Sequence, residues 1–227
     1  IGVETNNVKL NSLKAGIVPF YEPGLENLFK KVLKNGNLDL TNSLKKITKK
    51  VDIIMICVGT PCDEEGKFDL TAVEKVSDEI IEFISKIKKY FLIVMRSTVL
   101  PGTTRKLFSE KISKKVKLKI NKDYDIVMNP EFLREGSALS DFDNPERTIV
   151  GVTSHRASLM LQDLYHSIKA PFFKTNLETA ELSKYVDNSW HALKITFGNE
   201  IGNLANKLKL DVEEVYKIFI ADKKLNI

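Results

Sequence analysis

Short runs of almost uninterrupted apolar residues alternate along this chain with longer stretches of helical period. The runs at residues 51–58, 91–99, 124–128, 148–152 and 171–174 are rich in β-branched side chains and bounded by turn residues. Strands buried on both faces have that signature. Helical spacing fills the intervals at 7–15, 24–34, 71–87, 103–112 and 154–168. Such alternation predicts an α/β fold with a doubly wound parallel sheet. The opening Ile1-Gly2-Val3-Glu4 reads as the end of a strand, so further chain is expected upstream. From about Glu178 the strands stop and a long helical segment runs to about Leu208. A second helix follows, with Asp211 as its N-cap and Glu214 three residues on. No internal repeat or low-complexity linker interrupts the pattern.

With 227 residues, 43% of them hydrophobic, the chain has the material for one large core. No apolar run approaches the ~20 residues that span a bilayer, and no charged start precedes an apolar stretch, so a cytoplasmic protein without membrane contact is expected. The net charge of +5 comes with scattered lysines such as Lys45-Lys46, Lys49-Lys50 and Lys114-Lys115. Without interleaved aromatics these read as solvated faces and predict no nucleic-acid partner. A mild preference for small anionic ligands is the most the charge implies. Cys57 and Cys62, five apart with no His partner, predict neither a metal site nor a disulfide, but a buried strand thiol and a loop thiol.

Candidate chemistry gathers at the strand exits, where parallel α/β sheets bind ligands. Asn129-Pro130-Glu131-Phe132-Leu133-Arg134-Glu135-Gly136 delivers two carboxylates, four apart and flanking an Arg, directly after the run 124–128. They suit acid/base work or sugar-hydroxyl recognition, or are solvated loop residues. Glu4 stands where dinucleotide folds place an acid for the adenosine ribose, yet the usual preceding G-x-G-x-x-G occurs nowhere here, and a surface acid would look the same. Cys57-Val58-Gly59-Thr60-Pro61 is either an ordinary Gly/Pro turn or one where Gly59 admits a ligand to the backbone and Thr60 offers a hydroxyl. Ser97-Thr98 ends another run before Pro101-Gly102, as a helix cap or as ligand hydroxyls.

The long helix carries a further pattern. At 100° per residue, Lys184, Asn188, His191 and Asn199 share an arc of about 80°, opposite Leu182, Val186, Leu193, Phe197 and Leu204. An amphipathic surface helix would do the same. Lys, Asn and His, however, are donors suited to hydroxyls, phosphates or an oxyanion.

Taken together and in order, these segments resemble a known family. Glu4 with Lys9, Tyr21-Glu22-Pro23-Gly24-Leu25, Cys57 to Pro61, Arg96-Ser97-Thr98-Val99-Leu100-Pro101-Gly102-Thr103, Asn129 to Gly136 and Glu181-Leu182-Ser183-Lys184-Tyr185 with Asn188 are similar to the nucleotide-sugar 6-dehydrogenases, the UDP-glucose and GDP-mannose dehydrogenase family. The stretch Asn188 to Asn203 and the ending Asp222-Lys223-Lys224-Leu225-Asn226 look most like the GDP-mannose branch.

The resemblance implies an NAD-dependent four-electron oxidation of a sugar C6 alcohol, through an aldehyde captured by a catalytic Cys and a thioester hydrolysed to a uronic acid. It implies that Glu4 and Lys9 hold the adenosine ribose and that Thr60 and Thr98 line the nicotinamide side. Lys184 and Asn188 would stabilise the oxygen that gains charge, Thr98 would position a water, and Glu131 would be the base for thioester hydrolysis. Glu135, His191 and Asn199, with Lys184 and Asn188, would contact the nucleotide sugar. A homodimer through the long helix is implied as well.

Departures from the family pattern are equally concrete. The Gly-rich turn and the Gly-Gly-Ser-Cys type loop of the nucleophile do not occur, Cys57 and Cys62 match no catalytic position, and Glu4 replaces the commoner Asp. The expectation is therefore a Rossmann-like domain over 1–176 lacking its first strand, then an incomplete helical dimerisation region over 177–227, with a C-terminal nucleotide-binding domain absent. As given, such a chain is expected to be inactive alone. The parent activity expected is oxidation of GDP-mannose to GDP-mannuronate, with UDP-glucose or another UDP-sugar as the alternative substrate. A hydroxyacid dehydrogenase with a Lys and an Asn on a long helix, and a non-catalytic interaction fragment, are the other classes.

Overall fold

A computed structural model describes residues 1–48, 50–85, 87 and 89–223. Lys49, Lys86 of the expected helix 71–87, and Lys224, Leu225 and Asn226 of the family-like ending lie outside the described residues. The chain divides into two compact units, Ile1–Lys184 and Tyr185–Ile227.

In the first unit, β1 (Gly2–Val3) pairs in parallel with β2 (Leu40–Thr41), with α1 (Asn7–Lys14) and α2 (Leu25–Lys34) between them in sequence. The Asn6 side chain caps α1 by accepting from the backbone N–H groups of Val8 and Lys9. A five-stranded sheet follows in the order β3 (Ile53–Ile56), β4 (Phe91–Met95), β5 (Tyr124–Met128), β6 (Thr148–Val152) and β7 (Phe172–Thr175). Its strands alternate faces. Ile54, Ile56, Ile93, Met95, Ile126 and Met128 pack on one side against α3 (Thr71–Ile84) and the segment around Leu107, Phe108 and Ile112. Leu92, Val94, Val127 and Val150 pack on the other against Ala157 and Leu161 of α6 (His155–Leu164). Helices on both faces of a sheet buried on both sides make the doubly wound layering that the apolar runs implied.

The sheet departs from an all-parallel arrangement at one junction, where β6 runs antiparallel to β5, with Met128 opposite Gly151. The connection between the two strands, residues 129–147, contains one short helix, α5 (Ala138–Asp143). The expected helix 103–112 is helical from Thr103 and runs on to Lys115, with a π-helical turn at Arg105–Glu110 followed by α4 (Lys111–Lys115). Leu107 and Ile112, five apart and both buried, have the spacing that a π turn aligns.

Helix α7 (Leu177–Leu208) begins on β6. Gly151 leaves no room there for a side chain, because a Cβ would lie 2.5 Å from Asn176 O and 2.8 Å from both Ala180 Cβ and Leu177 Cα. Close seating of the helix aims its second turn at the exits of β4 and β5. The second unit is a helical hairpin of the rest of α7 and α8 (Val212–Phe219). Asp211 caps α8 by accepting from the N–H groups of Glu213 and Glu214. The Phe197 and Phe219 rings lie 5.8 Å apart, and Tyr216 OH donates to Gly198 O.

Candidate active site

Strands β3, β4 and β5 are mutually parallel, so their C-terminal ends open on one edge of the sheet. Side chains stitch these exits together. Thr60 Oγ1 donates to Thr98 O at 2.8 Å, and Ser97 Oγ donates to Val58 O at 2.6 Å. Ser97 thus straps β4 to β3 rather than capping a helix. Asn129, only 2% exposed, is pinned at the next exit. Its Oδ1 accepts from Arg96 Nη1 and from Tyr165 OH, both at 2.6 Å, while its Nδ2 donates to Ile149 O at 2.9 Å. A buried amide satisfied on both ends is held in one orientation, which fixes where the next turn starts.

That turn presents Glu131. Its Oε2 accepts from Leu133 N at 2.8 Å, and its Oε1 lies 3.1 Å from Lys184 Nζ. The lysine side chain is 8% exposed and the glutamate side chain 32%. Lys184 reaches this point because α7, seated on Gly151, climbs about 10 Å over the seven residues from Leu177. The Phe132 ring adds a second support, with Lys184 Nζ 5.2 Å and Arg147 Cζ 4.4 Å from its centroid. A nearly buried ammonium beside a half-buried carboxylate can stabilise a developing oxyanion and move a proton.

The other sequence-chosen residues fall in different places. Glu4 and Lys9 form their own pair beyond β1, 3.2 Å apart. The N–H of Asn6, 2.9 Å from Glu4 Oε1, holds the Glu4 carboxyl below the usual carboxylate range, with help from the Lys9 ammonium. Glu135 is exposed, and Arg134 between the two glutamates turns away to a bidentate pairing with Asp141 at 2.7 and 3.1 Å. Asn188, His191 and Asn199 lie on the part of α7 that belongs to the second unit, all exposed, with His191 Nε2 3.5 Å from Asp187.

Cys57 corrects an expectation. Strand β3 stops at Ile56, so Cys57 is an exposed residue just past it and not a buried strand thiol. Solvent reaches it, yet the surrounding protein pushes its thiol up, against the pull of the Arg96 guanidinium. Arg96 and Tyr165 escaped the sequence reading as site residues. Arg96 sits in a quoted motif, whereas Tyr165, 36 residues from the Asn129 it serves, has no local signal. An open cavity of about 960 Å³, lined in part by Leu44, Ile47, Val51, Phe83 and Ile87, contains none of the strand-exit residues above. Among the described residues no three His, Cys, Asp or Glu side chains group as metal ligands.

Residues 1–169 match the NAD binding domain of the UDP-glucose/GDP-mannose dehydrogenase family, and residues 178–227 match that family's central domain. The chain belongs to this family. It is 38% identical, over all 227 residues, to the GDP-mannose 6-dehydrogenase of Pseudomonas putida, covering 52% of that protein. It is 42% identical over 207 residues to the UDP-glucose 6-dehydrogenase of Bacillus subtilis, covering 91% of this chain and 44% of that one. The crystal structure of a ternary complex of GDP-mannose dehydrogenase from Pseudomonas aeruginosa superposes with a TM-score of 0.93 at 38% identity, over 99% of this chain and 52% of that chain. The chain therefore spans about half the length of the curated relatives it matches. As in other members of the dehydrogenase family, the Rossmann-type domain takes NAD. The residues present fit that cofactor: Glu4 offers a carboxylate to hydroxyls at a strand exit, and a Cβ at Gly59 would meet nothing within 4 Å.

Proposed function

We propose that the protein carrying this chain oxidises the C6 alcohol of a nucleotide sugar to the uronic acid, with GDP-mannose as substrate. The observation that carries the reading is the Lys184–Glu131 pair, 3.1 Å apart at the exit of β5, in a chain of the UDP-glucose/GDP-mannose dehydrogenase family. UDP-glucose is the second reading, favoured by the 42% identity to the Bacillus subtilis enzyme.

Bound NAD⁺ would supply the hydride acceptor for each of two oxidations. The chain's own residues bind, orient and move protons. Glu4 and Lys9 hold the adenosine ribose, and Thr60 with Thr98 lines the nicotinamide side. The Lys184 ammonium, with the Asn188 amide, stabilises negative charge on the substrate oxygen. Glu131 takes a proton from the water that hydrolyses the acyl intermediate, and the Thr98 hydroxyl positions that water. Glu135, His191 and Asn199 contact the nucleotide sugar. The resemblance puts the acyl group on a cysteine in a Gly-Gly-Ser-Cys type loop, a sequence not found in these 227 residues. We assign 1–176 to cofactor binding and 177–227 to a central helical region that pairs two copies in a cytoplasmic homodimer. Exposed Leu193, Phe197 and Leu204, each 48 to 58% accessible, support that pairing.

Comparing kcat/KM for GDP-mannose and UDP-glucose with NAD⁺, in the full-length protein, tests the reading. Preference for GDP-mannose is expected. Preference for UDP-glucose would overturn the choice of sugar, and no oxidation of either would overturn the activity.

A further inference from the structure

Two buried carboxylates outside the strand exits make the same unusual contact. Glu181, fully buried, accepts from Gly102 N through Oε2 at 2.6 Å and from Thr104 N through Oε1 at 2.8 Å. Glu22, 7% exposed, accepts from Gly136 N through Oε2 at 2.8 Å and from Ala138 N through Oε1 at 2.7 Å. In both cases the first N–H belongs to a glycine at positive φ, +90° at Gly102 and +84° at Gly136. The second belongs to the first turn of a helix. A left-handed residue followed by a helix start points alternate N–H groups into one concavity, which favours an anion. Neither helix start has a side-chain cap of its own, so the distant glutamate takes that place.

Location gives these clamps their consequence. Gly102 follows Thr98 by four residues, and Gly136 follows Glu131 by five. Glu181 stands three residues before Lys184 on α7, so its clamp joins the helix carrying the lysine to the loop carrying Thr98. Glu22 joins the Tyr21–Leu25 turn to the loop carrying Glu131 and Glu135. We infer that Glu181 and Glu22 are positioning residues, which fix Thr98 and Glu131 relative to Lys184 by filling two glycine-led anion cradles. This inference rests on the proposed function for its catalytic consequence, though not for its geometry.

The test uses Glu181→Gln and Glu22→Gln in the full-length protein. Each keeps side-chain size but sets an NH₂ against a backbone N–H. Hydrogen exchange should accelerate by about tenfold at Gly102 and Thr104 in the first variant, and at Gly136 and Ala138 in the second, while β4 and β5 keep their protection. In Glu181→Gln, kcat should fall by about tenfold with the KM for NAD⁺ unchanged, and adding Lys184→Ala should lower it no further than Lys184→Ala alone. Unchanged exchange at these amides, acceleration spread over the whole sheet, or additive losses with Lys184→Ala would each overturn the inference. A wild-type protein that oxidises no nucleotide sugar would instead sink the proposed function, leaving hydrogen exchange to decide the clamps.

Discussion

Replacing Gly151 by alanine asks whether α7 is seated as closely as the structure has it. The new Cβ would meet Asn176 O at 2.5 Å, Leu177 Cα at 2.8 Å and Ala180 Cβ at 2.8 Å, whereas ordinary contact begins at 3.4 Å. None of those atoms is the far end of a flexible side chain. Gly151 is also bonded into the sheet on both sides, opposite Met128 and Thr175, so the strand cannot give way and the helix must. Overpacking of this kind costs about 1 to 3 kcal/mol, and contact with backbone places it at the upper end. For a chain of this size that lowers the thermal midpoint by about 6 °C or more. Gly59→Ala is the matched control, since its Cβ meets nothing within 4 Å and should leave the midpoint within about 1 °C. Circular dichroism melts of the two variants and wild type give the comparison. A Gly151→Ala midpoint equal to wild type would refute the close seating, and with it the account of how Lys184 is delivered.

Three other outcomes follow from the site. Lys184→Ala should reduce kcat by roughly 100 to 1,000-fold, about 3 to 4 kcal/mol for one oxyanion donor, with little change in NAD⁺ affinity by fluorescence titration. Near-normal kcat would return the polar stripe of α7 to a solvated face. Glu131→Gln should slow hydrolysis of the acyl intermediate, so a covalent acyl-enzyme should accumulate in intact-protein mass spectra of the full-length protein; its absence under turnover would remove Glu131 as the base. Because the protein around the exposed Cys57 pushes its thiol up, less of it is thiolate at pH 8, and a thiol reagent should label Cys57 more slowly in the folded protein than in urea. Faster labelling of Cys57 in the folded protein, followed by peptide mapping, would contradict that environment.

The sheet was legible where burial on both faces left an unbroken apolar run, and β5 and β6 fall on the expected residues. Direction was not legible, because a run such as Thr148–Val152 reads the same either way along the sheet. Strand β2, two residues long, and α5, of six, are too short for any period to show. The site divides similarly. Glu131 and Lys184 could be chosen separately, one from a strand exit and one from a helical stripe, and the fold brings them to 3.1 Å. Glu22 and Glu181 could not be read as clamps, since their partners lie 114 to 116 and 77 to 79 residues away and such pairings leave no local spacing. The resemblance rested on the segments around both without supplying their contacts.

The number of NADH molecules formed per sugar consumed tests the central claim most directly. It can be measured by absorbance in a limiting-substrate reaction of the full-length protein with GDP-mannose. Oxidation of the C6 alcohol to the acid predicts two NADH per sugar, with a uronate as the product. One NADH per sugar, with free aldehyde released, would contradict the assignment of Glu131 and Lys184 to a four-electron reaction, as would no NADH at all with any nucleotide sugar.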